Sequence, residues 1–415
     1  MGAQFEEAVE LDSRYIMHTF ARKPVEFVRG EGAVLYDDDG KAYIDFLAGI
    51  GVASLGHCHP KVVSAIQEQA AKLVHVGNYF YIEHRGELSK RICEMLSAPA
   101  AASGLPAGSP EDWRVFYANS GAEANEGAIK LARLWGSEHL DGASGVVSAR
   151  KSFHGRTLAT LAATGQAGKT EPFKPLPAGF AHVPLNDVGA LEEALDSDID
   201  GVKPAAVLLE CIQGESGVWP CTQEYLEAAR ELTSERGMLL ICDEVQTGFC
   251  RTGEYFAFQS FGVVPDVVTM AKGIADGMPM GAFAAKSEVA ELMTPGIHGT
   301  TFGGSNLACA ASDATTSVMC EPGFLEHVRE AGERLRAGLS KLPFVTEVRG
   351  RGLMNGVSLE EPVAGKLVDA GLEHGFVLNA PGADIVRFLP PLVIEDAQIE
   401  SLLEALPELY AEACS

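Results

Sequence analysis

The chain has 415 residues, 47% of them hydrophobic, and a formal net charge of −25. That length is more than one compact core serves, so two or more lobes are expected, and a surface this acidic repels nucleic acid and anionic membranes. No run approaches the roughly 18–20 apolar residues of a membrane span, and the nine cysteines are scattered without a C-x-x-C pair, which suits reduced cytoplasmic thiols rather than a disulfide framework or structural zinc.

Residues 1–60 read as an irregular segment with short strands. Its acidic start (Glu6, Glu7, Glu10, Asp12) argues against a targeting presequence. Ala33–Tyr36 and Ala42–Phe46 flank the turn Asp37-Asp38-Asp39-Gly40, a hairpin signal. Gly56-His57-Cys58-His59-Pro60 has loop-like spacing with no second ligand cluster nearby, so it reads as the entry to a helix rather than a metal site. Val63, Ile66, Ala70 and Leu73 then recur at helical spacing, and a second helix covers roughly 83–96. Ser97 to Pro110, rich in small residues and proline, is a surface loop.

Val115-Phe116-Tyr117 is a strand that runs into Asn119-Ser120-Gly121-Ala122-Glu123 and a helix to about Trp135. Ser120 and Glu123 have capping-box spacing, and Glu126 with Lys130 is an i,i+4 pair. A strand, a small-residue turn and a helix start aim free N–H groups and a helix dipole at one spot, which is how phosphate is held; an ordinary strand–helix turn has the same appearance. A further strand near Gly145 to Ala149 precedes Phe153-His154-Gly155-Arg156-Thr157, where an aromatic ring could stack on a flat ligand and an arginine could clamp a carboxylate.

Three apolar runs then end in chemistry-bearing residues: Ala205–Leu209 in Glu210, Leu239–Cys242 in Asp243, and Val267–Met270 in Ala271-Lys272. Short runs rich in branched residues are buried parallel strands, and ligands of open α/β sheets bind beyond their carboxyl ends. A carboxylate and an amine delivered to one crevice suit pyridoxal phosphate, the lysine holding the cofactor as a Schiff base and the aspartate keeping its ring nitrogen protonated. A buried ion pair or two solvated loop charges are the plainer alternative. Met280–Ala284 returns as an antiparallel strand, His298–Gly304 is a loop with exposed hydroxyls, and Asn306–Met319 is a helix. From Pro322 the pattern becomes α+β, with helices to about Lys341, over 363–374 and from about 395, and strands near 345–348, 353–358, 376–379 and 385–388. Arg387 in the apolar strand Ile385–Leu389 must be paired or functional, because an unpaired buried charge is costly.

Six segments in this order, NSGAEANEGAIKLAR (119–133), FHGRT (153–157), ECIQGE (210–215), DEVQTGFCRTG (243–253), AKG (271–273) and HGTTFGG (298–304), resemble the class-III aminotransferases over nearly the whole chain. The resemblance implies a fold-type-I α/β enzyme: a mostly parallel central sheet with helices on both faces and a smaller α+β domain. It divides the chain into an N-terminal segment (1–60, part of the small domain), a large cofactor-binding domain (61–315) and a C-terminal small domain (316–415). It also implies pyridoxal 5′-phosphate as cofactor. Lys272 would be its covalent anchor and proton carrier, Asp243 the partner of the ring nitrogen, Gln246 a partner of the ring hydroxyl and Phe153 the stacking ring. Ser120, Gly121 and Ala122 would hold the phosphate, with Thr301 reaching it from the second subunit of a homodimer.

Within the family, Gly30-Glu31-Gly32, GHCHPK (56–61) and VRFLPPL (386–392) look most like N-acetylornithine aminotransferases. That likeness implies transfer of the terminal amine of N2-acetylornithine to 2-oxoglutarate, giving the semialdehyde and glutamate, in cytoplasmic arginine biosynthesis. Arg156 and Arg387 would bind substrate carboxylates, with Glu215 as a gate over Arg387. Phe20 falls where the family often has a substrate-contacting tyrosine, and Cys211, Cys250 and Ser305-Asn306 replace a proline, a glycine and Asn-Pro. Another ω-aminotransferase, acting on ornithine, 4-aminobutyrate or a succinylated amine, would keep every catalytic residue. An aminomutase or a non-catalytic binding homologue of the same fold are the further alternatives, the last opposed by the presence of both Lys272 and Asp243.

Overall fold

The computed structural model describes residues 3–415. Its centre is a sheet of β1 (Trp113–Ala118), β2 (Gly145–Ala149), β3 (Phe180–Val183), β4 (Pro204–Leu209), β5 (Leu239–Asp243), β6 (Val267–Met270) and β7 (Gly281–Lys286). The order across the sheet is β1-β7-β6-β5-β4-β2-β3. Neighbours are parallel except for β7, which runs antiparallel to both β6 and β1.

Every residue of β2, β4, β5 and β6 is buried, because apolar layers cover both faces. Alternate residues of a strand point to opposite faces. Thus Leu239, Ile241 and Val267 join one apolar cluster with Ala128, Ile129 and Leu131 of helix α1 (Gly121–His139), while Leu240, Cys242 and Val268 join the cluster on the other side with Tyr225 and Leu226. Burial of this kind contributes about 25 cal/mol per Å² of apolar surface, which makes the sheet the rigid base for whatever its edge carries.

Three smaller sheets complete the architecture among the described residues, the shortest an antiparallel pair of Ile212–Gln213 and Trp219–Pro220. Phe27–Glu31, Val34–Asp37 and Ala42–Asp45 form an antiparallel meander, and Phe376–Val377 adds to it in parallel, so both ends of the chain share one sheet. Val345–Arg351, Met354–Leu359 and Ile385–Phe388 form an antiparallel three-stranded sheet.

Several local expectations need correction. Residues Ala3–Tyr15 form a helix, not irregular chain. Helix α1 continues to His139, four residues past the expected end at Trp135, and Leu140 caps it through the carbonyl of Gly136. Ser120 caps α1 as expected, accepting the Glu123 N–H at 3.1 Å, but Glu123 reaches back one residue further and takes the Asn119 N–H at 2.6 Å. The Glu126–Lys130 pair does not form: Glu126 accepts from the Thr157 hydroxyl and the Ala159 N–H, and Lys130 bonds Nδ1 of His298 at 3.0 Å. Tertiary partners outcompete an exposed i,i+4 ion pair worth only a few tenths of a kcal/mol.

Candidate active site

At the carboxyl edge of the sheet lies a cavity of about 400 Å³. Asp243 closes β5, Glu210 follows β4, and Lys272 follows β6 by two residues, so three strand ends deliver them to its wall. Lys272 sits at φ +48°, a left-handed conformation that a side-chain-bearing residue adopts only under constraint. Burial pushes its amine down to about 8, and the charge of Arg387 adds to this, against opposing pulls from Glu215, Asp243 and Glu210.

Asp243 is 3% exposed, lines the cavity and is held by three partners. Its Oδ2 accepts from Nδ2 of Asn125 and pairs with Nδ1 of His154, both at 2.8 Å, and its Oδ1 accepts from the Val245 N–H at 3.0 Å. Asn125 is itself fixed, since it donates to the His154 carbonyl at 2.8 Å and accepts from the Thr269 hydroxyl at 2.7 Å. Glu210 accepts the N–H groups of Phe153 at 2.8 Å and Gly214 at 3.0 Å. Burial raises its carboxyl to about 7, with the charge of Asp243 adding to the rise and His154 opposing it.

Across the cavity, α1 begins at Gly121. The N–H groups of Gly121 and Ala122 have no acceptor among the described residues, so two donors at the positive end of a helix are free for an anion. Glycine is required at 121 because a Cβ there would stand 2.7 Å from Cγ1 of Val245, another cavity residue. The ring of Phe153 also lines the cavity, with the guanidinium of Arg156 at 5.6 Å and the amine of Lys169 at 4.9 Å from its centroid.

Arg387 is 2% exposed and held on all sides. Asn379 Oδ1 takes its Nε at 3.1 Å and its Nη2 at 2.8 Å. Its Nη1 donates to the Gly214 carbonyl at 2.9 Å, to Oε1 of Gln246 at 3.3 Å and to Oε2 of Glu215 at 3.4 Å. A second cavity of about 500 Å³ adjoins the first through Glu215 and is lined by Arg387, Lys169, Lys151 and Trp219.

Most residues expected from the sequence therefore converge. Ser120, Gly121, Ala122, Phe153, Arg156, Glu215, Asp243, Gln246 and Lys272 line the first cavity, and Arg387 bonds two of them. Two do not join them within one chain. Thr301 is exposed and borders a separate cavity of about 1130 Å³ beside Tyr79 and His298, tied to the site through a 3.1 Å bond from Asn119 to the neighbouring Thr300. Phe20 is 76% exposed and lines none of these cavities. The sequence reading missed Asn125, one turn into α1, and the cation Lys169, and assigned no role to His154 or Glu210.

An amine, a fixed carboxylate, free helix N-terminal donors and an aromatic wall around one cavity are what pyridoxal phosphate requires, and the residues present fit it. The sequence matches the class-III aminotransferase family over residues 17–409. The chain belongs to the class-III aminotransferases. It is a pyridoxal-phosphate-dependent transaminase with the α/β fold of that family. It is 43% identical over 409 residues to the acetylornithine aminotransferase of Caldanaerobacter subterraneus subsp. tengcongensis, covering 97% of this chain and 99% of that one. It is 44% identical over 412 residues to the acetylornithine aminotransferase of Methanocaldococcus jannaschii, covering 98% of each. The crystal structure of ornithine aminotransferase from Toxoplasma gondii superposes with a TM-score of 0.89 at 32% identity, covering 98% of this chain and 95% of that chain.

Proposed function

We propose that this class-III aminotransferase moves the terminal amine of N2-acetylornithine to 2-oxoglutarate, giving N-acetylglutamate 5-semialdehyde and glutamate. The observation that carries the reading is the Arg387–Glu215 contact at the mouth of the Lys272 cavity, together with the near-full-length likeness to enzymes of that name. The transaminase must accept one substrate whose reacting amine is far from its carboxylate and another whose amine is adjacent to it. An arginine covered by a movable glutamate answers both demands.

In this reading Lys272 anchors the cofactor covalently, Asp243 faces its ring nitrogen, and the free N–H groups of Gly121 and Ala122 with Ser120 take its phosphate. Bound pyridoxal phosphate supplies an electron sink for the bond to the carbon that bears the amine. Lys272 Nζ, released as a free amine of lowered basicity once the substrate amine takes its place on the cofactor, would carry the proton away from that carbon and return it on the other side of the transfer. The His154 and Asn125 bonds hold the Asp243 carboxylate in one orientation throughout. Gln246 would orient the ring hydroxyl, and Phe153 would pack on the ring; both line the cavity. Arg156 binds the carboxylate of the acylated donor, and Arg387 binds that of 2-oxoglutarate or glutamate once Glu215 has moved.

The same proposal includes a homodimer in which Thr301 of one protomer completes the phosphate site of the other. Exposed Tyr79, Phe80, Tyr81 and Phe302, in and beside that loop region, support it. A cytoplasmic setting is proposed from the nine unpaired thiols.

The test is an absorption spectrum of the purified holoenzyme titrated with one amine donor at a time and no acceptor. N-acetylornithine should convert the bound cofactor to its amine form much faster than ornithine or 4-aminobutyrate does. Faster conversion by ornithine would establish the second reading, which the Toxoplasma gondii structure favours. A strict need for 2-oxoglutarate to complete the cycle would exclude an aminomutase.

A further inference from the structure

Glu215 is shared between two cations from different parts of the chain. Its Oε2 lies 3.4 Å from Nη1 of Arg387, and its Oε1 lies 3.3 Å from Nζ of Lys169. Both distances are longer than the roughly 2.7–2.9 Å of a good charge-assisted bond, so neither contact is optimal. Lys169 lies on the short helix Ala167–Thr170, and its amine is also fixed by Oε1 of Gln166 at 2.6 Å. Burial by itself would raise the Glu215 carboxyl, yet Arg387, Lys169 and Lys272 together hold it below its ordinary value, so it is a carboxylate near neutral pH.

We propose that Lys169 is the latch of this gate: the specificity-determining residue that receives Glu215 when a substrate carboxylate takes Arg387. The inference rests on the gate reading given above and extends it by naming where the displaced carboxylate goes. Without Lys169, opening would leave Glu215 without a cation in contact beside an incoming dicarboxylate, and like charges would oppose binding. With Lys169, a small rotation exchanges two long contacts for one short one. The chamber that Lys169 shares with Arg387 and Glu215 gives the side chain room for that movement. Arg387 needs no rearrangement, since Asn379 and the Gly214 carbonyl hold it in either state.

The step is purely conformational, so the prediction concerns the balance between substrates. In the Lys169→Met holoenzyme, which keeps an unbranched side chain of similar length but removes the amine, the ratio of glutamate efficiency to ω-amine efficiency should fall by about five-fold. That corresponds to roughly 1 kcal/mol, the upper value for a partly exposed ion pair. Binding of glutarate, an unreactive dicarboxylate, should weaken by the same factor when followed by calorimetry, and Lys169→Arg should restore most of both. The deciding arm is the double variant. In a Glu215→Gln background, Lys169→Met should change glutarate binding by less than about two-fold, because there is no carboxylate left to receive. If the full loss persists there, Lys169 binds substrate directly and the latch is wrong. If Glu215→Gln moves the substrate ratio while Lys169→Met does not, the latch fails and the gate stands. If Glu215→Gln itself leaves the ratio unchanged, the gate reading has failed, and the latch with it.

Discussion

Burial is the main force on the Lys272 amine, pushing it down to about 8, with Arg387 adding to the effect. An amine is protonated below its pKa and free to attack a carbonyl above it. The cofactor-free protein should therefore capture pyridoxal phosphate at a rate that rises with pH and reaches half its plateau near pH 8, where an ordinary lysine would need about pH 10.4. Stopped-flow recording of the absorbance change across pH 6.5–10 would check this, and a midpoint near 10 would mean that Lys272 is not perturbed. At this scale legibility follows strand ends. Lys272, Asp243 and Glu210 are visible because each terminates an apolar run, and Arg387 because a charge interrupts one. Asn125 and His154 are not, because only the fold brings a position one turn into α1 and a loop histidine to the end of β5. Lys169 lies in a stretch with neither periodicity nor an apolar run to mark it. The exposed Phe20 shows the converse, a position known only by likeness that the single chain leaves outside the cavity.

Among elements, the segment after β5 depends on one buried carboxylate. Glu244 accepts the N–H of Ala257 at 3.0 Å, the N–H of Phe258 at 2.8 Å and the hydroxyl of Thr247. It thereby pins the 3-10 turn Ala257–Phe261 beneath the residue next to Asp243. Glu244→Ala would strand two buried N–H groups and release the Thr247 hydroxyl, so stability should fall by about 3 kcal/mol, read from the midpoint of urea unfolding at constant slope. An unchanged midpoint would show that the turn holds without it. The strands of the central sheet were legible because burial on both faces makes their sequences continuously apolar. The helix Ala3–Tyr15 was not, since among its residues with described side chains only Phe5 is buried and no apolar stripe marks it. The reach of Glu123 to Asn119 instead of Ser120 also lies below what spacing can tell, because the two differ by one residue of backbone direction.

For the whole molecule, a net charge of −25 surrounds a site that must attract dicarboxylates, so the pocket cations Arg156, Lys169, Lys272 and Arg387 must supply a local field of opposite sign. The exposed aromatics run against the same solvent-facing acidity. Tyr79 and Tyr81 are essentially fully exposed and Phe302 is 63% exposed, an apolar group of the kind that marks an interaction surface. If the proposed dimer holds, paired Tyr79→Glu and Tyr81→Glu substitutions should halve the mass seen by sedimentation and weaken pyridoxal phosphate binding, since the Thr301 proposed to reach the neighbouring site would be withdrawn. A dimer of unaltered cofactor affinity would contradict the shared site. The likeness of six segments made the fold class legible, but the pairing of the first and last parts of the chain in one sheet is a long-range fact that no local pattern carries.

The one reversed strand of the central sheet acts as a gauge block. β7 separates β1, which leads to the turn at Gly121 proposed to hold phosphate, from β6, which leads to Lys272. Two strand spacings, about 10 Å, are thereby set between the two ends of the site. The block is also notched at its working end: a Cβ on Gly281 would stand 2.2 Å from the Ser120 carbonyl oxygen, so only glycine lets the turn lie across it. The spacing between the backbone at Lys272 and the backbone at Gly121 is thus set by hydrogen-bonded strands. In the proposed site, substitutions around the pocket can retune which amine enters while that spacing stays fixed.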